Sequence, residues 1–203
     1  LYTKSSRCAR GFCKIQKIVT IASGLLPSKP VVNRVLLRYT GTKWGEGKMS
    51  IRLYPMPRCK AALAVQWQSE ASFALWPNNP FTWPLTAAQT KAFWLRCRQE
   101  GTHLLLAYEG ARPVGQLWAQ QRPDGSVHLG LILIAPHARG KGMGEAMMRE
   151  AAARFAPATV TVVVYESNIP ARRCYEKAGF CACASQPQTG LVHMKREWRK
   201  ETC

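Results

Sequence analysis

Residues 139–144 read Arg-Gly-Lys-Gly-Met-Gly, a run with unusual capacity to hold an anion. Glycines at 140, 142 and 144 let the backbone turn tightly and approach a ligand without Cβ atoms in the way. Arg139 and Lys141 add charge that attracts an anionic ligand. Met143, Met147, Ala151 and Phe155 follow at a spacing of four, one face of a helix that opens at about residue 142. Free backbone N–H groups and the positive end of that helix then converge on one point, which suits a pyrophosphate. Upstream, His128 begins the segment that leads into this run and is a candidate general base.

These groups need a sheet to position them. Residues 129–134 are an apolar run closed by Pro136, and they predict a buried strand over 126–134. Before it, 103–108 and 113–120 predict two more strands. Gly110-Ala111-Arg112-Pro113 and Arg122-Pro123-Asp124-Gly125 mark the turns of an antiparallel meander. Residues 51–54 predict a first strand. Residues 60–75 lack Gly and Pro and predict a helix. Thr86-Ala87-Ala88-Gln89 is a capping-box signature for a helix ending at Gly101. After the 142–155 helix, the β-branched run 159–165 predicts a central strand. Asn168 caps the next helix, which Gly179 ends, and 180–184 and 191–196 predict two closing strands. The expected fold is α/β (α+β), with a mixed, mostly antiparallel central sheet flanked by helices. The aromatic and proline-rich stretch 76–84 predicts an ordered loop, either a substrate wall or a clamp between helices.

The chain has 203 residues and a net charge of +18. Residues 1–48 hold ten Lys or Arg against one acid, half of the excess. They predict a basic N-terminal segment outside the native domain, which begins at residue 49. The basic residues are scattered and carry no nucleic-acid motif, so a nucleic-acid partner is not expected. Gly41 to Lys48 imitates a P-loop but places Thr42 five before Gly47 and Met49 where Ser or Thr is needed. No apolar run reaches the length of a membrane span. The eight cysteines form no C-x-x-C pair and the histidines lack ligand spacing, so no metal site is expected. Free thiols point to the cytoplasm.

The glycine run also invites a dinucleotide-binding reading. The spacing rejects it. That fingerprint needs Gly or Ala three residues after its second glycine, where Met147 or Glu145 stands here. Residues 136–139 also separate the strand from the turn.

Arg139-x-x-Gly142-x-Gly144, after Ile134-Ala135-Pro136, instead resembles the acetyl-coenzyme-A-binding signature of the GNAT superfamily of N-acetyltransferases. Asn168-x-x-Ala171-x-x-x-Tyr175-x-x-x-Gly179-Phe180 resembles that family's second block. The resemblance covers roughly residues 51–197. It implies a GNAT acetyltransferase domain over 49–203, acetyl-coenzyme A as cosubstrate and an amine acceptor, with the protein a monomer or homodimer. It implies cofactor contacts by Arg139, Gly140, Lys141, Gly142, Met143 and Gly144 around the pyrophosphate. Backbone groups of Ile132, Leu133 and Ile134 would pair with the pantetheine arm, and Asn168 and Tyr175 would lie near its reactive end. In the family the 126–134 and 159–165 strands splay to admit that arm, and Gly130 is a candidate bulge.

The implied reaction is direct transfer of acetyl from the thioester to a primary amine, that of a protein N-terminus, a lysine or a small molecule. Tyr175 corresponds to the tyrosine that protonates the leaving thiolate. The base stays open among His128, Glu109, Glu166 and water, because Val163 stands where some relatives carry a glutamate. Cys174 is expected to be a structural thiol. A non-catalytic acyl-coenzyme-A-binding sensor is the alternative function. The basic catalytic region disfavours polycationic acceptors.

Overall fold

The structure is a computed structural model that describes residues 50–198. The expectation for residues 1–48 lies outside them. Seven strands form one sheet in the order β1-β2-β3-β4-β5-β7-β6. They are β1 (Ile51–Pro55), β2 (His103–Glu109), β3 (Arg112–Gln121), β4 (Val127–Ile134), β5 (Val160–Tyr165), β6 (Cys181–Gln186) and β7 (Leu191–Arg196). Every neighbouring pair is antiparallel except β4 and β5, which run parallel. The mixed, mostly antiparallel sheet is therefore as expected.

The parallel pair is short. It joins Val127 to Val160, His128 to Thr161 and Leu129 to Val162, and then the strands part. A register shift between β3 and β4 falls at the same place: Gln116 faces Leu133, but Trp118 faces Gly130. β4 thus carries one extra residue, and Leu131 sits there with φ of 48°. A bulge bends its strand and strengthens the local twist, which carries β4 away from β5. The bulge is at Leu131 and not at Gly130, where the sequence places it. Gly130 has a different reason to be glycine: a Cβ there would lie 3.1 Å from the Trp118 ring.

Helix α3 (Ala87–Glu100) begins at Thr86, whose hydroxyl accepts from the Gln89 N–H, and ends at Gly101 in the left-handed region. The Gln89 side chain does not complete the expected capping box. It turns to Thr82 and to the Pro84 carbonyl and secures the preceding loop. Residues 60–75 also depart from expectation. They form a 3-10 turn, then α1 (Leu63–Trp67) and α2 (Glu70–Phe73), broken at extended Gln68. The cause is Ser69, which exchanges capping hydrogen bonds with Ser72 and starts a new helix.

Helix α4 (Met143–Arg154) lies against β1, β3 and α5 (Ile169–Lys177), while α3 packs on β2 and α1. Leu104 to Ala107 of β2 are all buried, so the sheet is covered on both faces there. β4 and β5 alternate buried and half-buried residues, and the site takes its lining from both sets where the strands part.

Candidate active site

Where β4 and β5 part, a cavity of about 280 Å³ opens. Its lining includes His128 and Ile132 from β4, Val163 and Val164 from β5, and Asn168 and Tyr175 from α5. Residues distant in sequence thus line one cavity. Leu133, Ile134 and residues 139–144 do not line this cavity. They form the strand exit and the turn into α4.

At that turn, Gly140 and Gly142 have φ of 72° and 76°, conformations that side chains resist. Gly142 is the N-cap of α4 and supplies no side-chain hydrogen bond. The other two described helices longer than eight residues are capped by Thr86 and Asn168. The N-terminal N–H groups of α4 therefore keep their donors for a ligand, which fits the pyrophosphate of coenzyme A. Lys141 is exposed beside them, and the Met143 side chain is buried in the core.

Gly144 fits for another reason. A Cβ at Gly144 would lie 2.9 Å from Cys174 Sγ and 3.7 Å from Ile134. Its missing side chain brings α4 onto α5. Cys174 is accordingly a packed thiol, and burial, with Glu145 nearby, pushes its pKa up to about 11. That is a poor nucleophile near neutral pH.

Arg139 is less available to a phosphate than its position in the motif suggests. Its guanidinium donates to the Ile134 carbonyl at 3.0 Å and to the Trp67 carbonyl at 2.8 Å. It ties α1 to the end of β4. The Ile132 carbonyl likewise accepts the Trp76 indole N–H at 3.1 Å.

Tyr175 is 6% exposed, with its ring beside Phe180. Burial, with Cys174 adjacent, raises its hydroxyl pKa well above the ordinary value. The hydroxyl therefore stays protonated at neutral pH and is a potential proton donor. Among the described residues no hydrogen bond engages it. Asn168 caps α5 through its Oδ1, which accepts from the Ala171 N–H, and it also lines the cavity.

His128 reaches across to Thr161, Nδ1 to Oγ1, at 3.1 Å. Burial, then Arg122 and His193, pushes its pKa down to about 4. It is neutral near pH 7 but too weak a base to compete for an ammonium proton. Glu109, at the end of β2, and Glu166, after β5, do not line the cavity.

The 76–84 loop does both things its composition allows. Phe73, Trp76, Phe81 and Phe93 form a chain of ring contacts with centroids 5.1 to 6.2 Å apart. Trp76, Pro77, Asn78 and Pro80 also wall the cavity. Arg96, Trp118 and Arg122 also line the cavity and lay outside any motif. For Arg96 a usable signal existed, since it follows Phe93 by three on the same helix. Arg122 was visible only as a turn residue.

A parted parallel pair, a glycine turn into an uncapped helix and a buried tyrosine beyond the parting together make a cleft suited to an extended ligand with an anionic end. Residues 69–180 match the model described as the Acetyltransferase (GNAT) family. This chain belongs to that family, and acetyl-coenzyme A is its cosubstrate. Solved structures agree in fold. An aminoglycoside acetyltransferase, AAC(6')-Ib, in complex with coenzyme A and kanamycin is 21% identical, with a TM-score of 0.60 over 73% of this chain and 95% of that one. An acetyltransferase from Thermus thermophilus is 24% identical, with a TM-score of 0.60 over 72% and 96%. Spermidine N-acetyltransferase from Vibrio cholerae, in complex with coenzyme A and spermine, is 13% identical, with a TM-score of 0.62 over 73% and 96%. No described helix is long and apolar enough to cross a membrane.

Proposed function

We propose that the protein transfers acetyl directly from acetyl-coenzyme A to a primary amine, with Tyr175 as the general acid. The observation that carries this reading is Tyr175: a buried ring that lines the cavity at the parting of β4 and β5, with a protonated hydroxyl that no hydrogen bond engages among the described residues. Acetyl-coenzyme A supplies the activated acyl group. The α4 N-terminus, Gly140, Lys141 and Gly142 hold its pyrophosphate, and the parted edge of β4 at Ile132 to Ile134 aligns the pantetheine arm. The N–C bond forms as the C–S bond breaks. Tyr175 gives its proton to the sulfur, and the proton shed by the new amide nitrogen returns to the hydroxyl through water.

His128 holds the acceptor side of the cavity as a neutral polar group. The ammonium proton leaves to water, because the cations Arg96 and Arg122 and the aromatic walls disfavour a charged amine. Residues 1–48 are dispensable for coenzyme A binding, and the exposed free thiols of Cys59, Cys181 and Cys183 support a cytoplasmic location.

Free-thiol release from acetyl-coenzyme A, followed across a panel of amines, tests the reading. Acyl-coenzyme A binding with no turnover on any amine would leave the sensor function instead. Deleting residues 1–48 should leave the calorimetric affinity for coenzyme A unchanged, and loss of folding would move the domain boundary.

A further inference from the structure

The described cavity lining contains two arginines and no aspartate or glutamate. Arg122, at the tip of the β3–β4 turn, makes no salt bridge among the described residues. The nearest carboxylate in sequence, Asp124, lines the adjoining groove with Arg122; the Ser126 hydroxyl and N–H bind it at 2.7 and 2.9 Å, and the Arg122 charge adds to the lowering of its pKa without a salt bridge. Arg96 stacks on Phe93 at 5.0 Å and stands 4.0 Å from Glu100, a half-exposed pair of little strength. His128 is uncharged near neutral pH.

The adjoining groove, about 460 Å³, shares Arg122, His128 and Val163 with the cavity. It adds His193, whose Nε2 is buried without a hydrogen-bond partner. The cavity lining is also aromatic, with Trp76, Phe93 under Arg96, and Trp118 beside His128. Cations set among aromatic rings repel a polycation and favour a molecule with an apolar body and a negative charge.

We propose that the acceptor amine is carried by a small molecule that also bears an anionic group, held by Arg122 and Arg96, with the α-amino acids as the simplest such class. This deepens the amine-acetyltransfer reading and rests on it. The same two cations that hold the anion also lower the proton affinity of the bound amine, which answers the absence of an acidic residue to act as base in the cavity.

The test compares matched acceptors in thiol release from acetyl-coenzyme A: phenylalanine, its carboxamide, its aminophosphonate analogue, phenethylamine and spermidine. The expected result is a kcat/KM about tenfold higher for phenylalanine or the phosphonate than for the carboxamide or phenethylamine. The first two separate a carboxylate from a phosphonate requirement. Spermidine should be the poorest. Arg122→Gln and Arg96→Gln should each shrink the acid-to-amide ratio severalfold at unchanged affinity for coenzyme A. A carboxamide, phenethylamine or spermidine used as well as the acid overturns the inference and leaves amine acetylation standing, as does an unchanged ratio in both variants. No turnover of any acceptor by protein that binds coenzyme A overturns the amine-acetyltransfer reading and this one with it.

Discussion

The Trp76 indole N–H donates to the Ile132 carbonyl at 3.1 Å, across 56 residues of sequence. This bond fastens the aromatic loop to the strand along which the acyl arm is expected to lie. Trp76→Phe keeps a ring in the cluster but loses the donor and some volume. It should cost about 1 to 3 kcal/mol of stability and raise the acceptor KM more than it weakens coenzyme A binding. Equal effects on both ligands, measured by initial rates and calorimetry, would detach the loop from acceptor recognition.

Gly144 faces Cys174 so closely that a Cβ would sit 2.9 Å from the sulfur. Gly144→Ala should push α4 from α5 and weaken coenzyme A binding about tenfold or more. The double variant Gly144→Ala with Cys174→Ala should recover most of that loss, since the clashing atom is gone. A double variant as poor as the single one would show instead that Gly144 meets the cofactor itself.

Tyr175→Phe removes one hydroxyl from a buried ring. Turnover should fall about a hundredfold, while coenzyme A affinity changes by less than about threefold. Because burial raises the hydroxyl pKa, wild-type activity should show no basic limb below pH 10 that disappears in the variant. A parallel fall in turnover and affinity would assign Tyr175 to packing.

His128 tests the base question through pH. Its pKa is about 4 in the fold against about 6.5 in the unfolded chain. Between those values the unfolded state binds more protons, so stability falls as the solution is acidified from pH 6.5 toward 4. The groups packed around it are Arg122, His193, Thr161 and Trp118. His128→Gln should flatten that part of the Tm-against-pH curve and lower turnover by no more than about fivefold. A loss of a hundredfold, with an ionisation near neutrality vanishing from the rate profile, would reinstate His128 as the base.

Most of the sheet could be read from alternation and turn residues, because β-strand burial and glycine or proline turns leave local signals. The motif spacings singled out Asn168 and Tyr175, and both line the cavity, since each motif states a backbone requirement. What escaped depends on contacts between distant residues. Gln68 looked helical, and only the mutual capping of Ser69 and Ser72 breaks that helix. Arg139 looked like a phosphate ligand, yet its guanidinium is turned onto two carbonyls. The bulge was placed on Gly130 because glycine favours odd backbone angles; Leu131 adopts them instead, and Trp118 explains the glycine. Arg96 and Arg122 converge only once α3 and the β3–β4 turn are folded against one cavity.

The three residue pairs that join β4 to β5 make the middle of this sheet a seam. On one side lie four strands and on the other three, each set laddered along its length. A ligand laid into the opening works as a staple across that seam. Its binding free energy then adds to the resistance of the whole domain against heat, proteolysis and amide exchange, about 2.7 kcal/mol at a hundred times Kd. Saturating coenzyme A should therefore raise the Tm of the domain and slow its proteolysis.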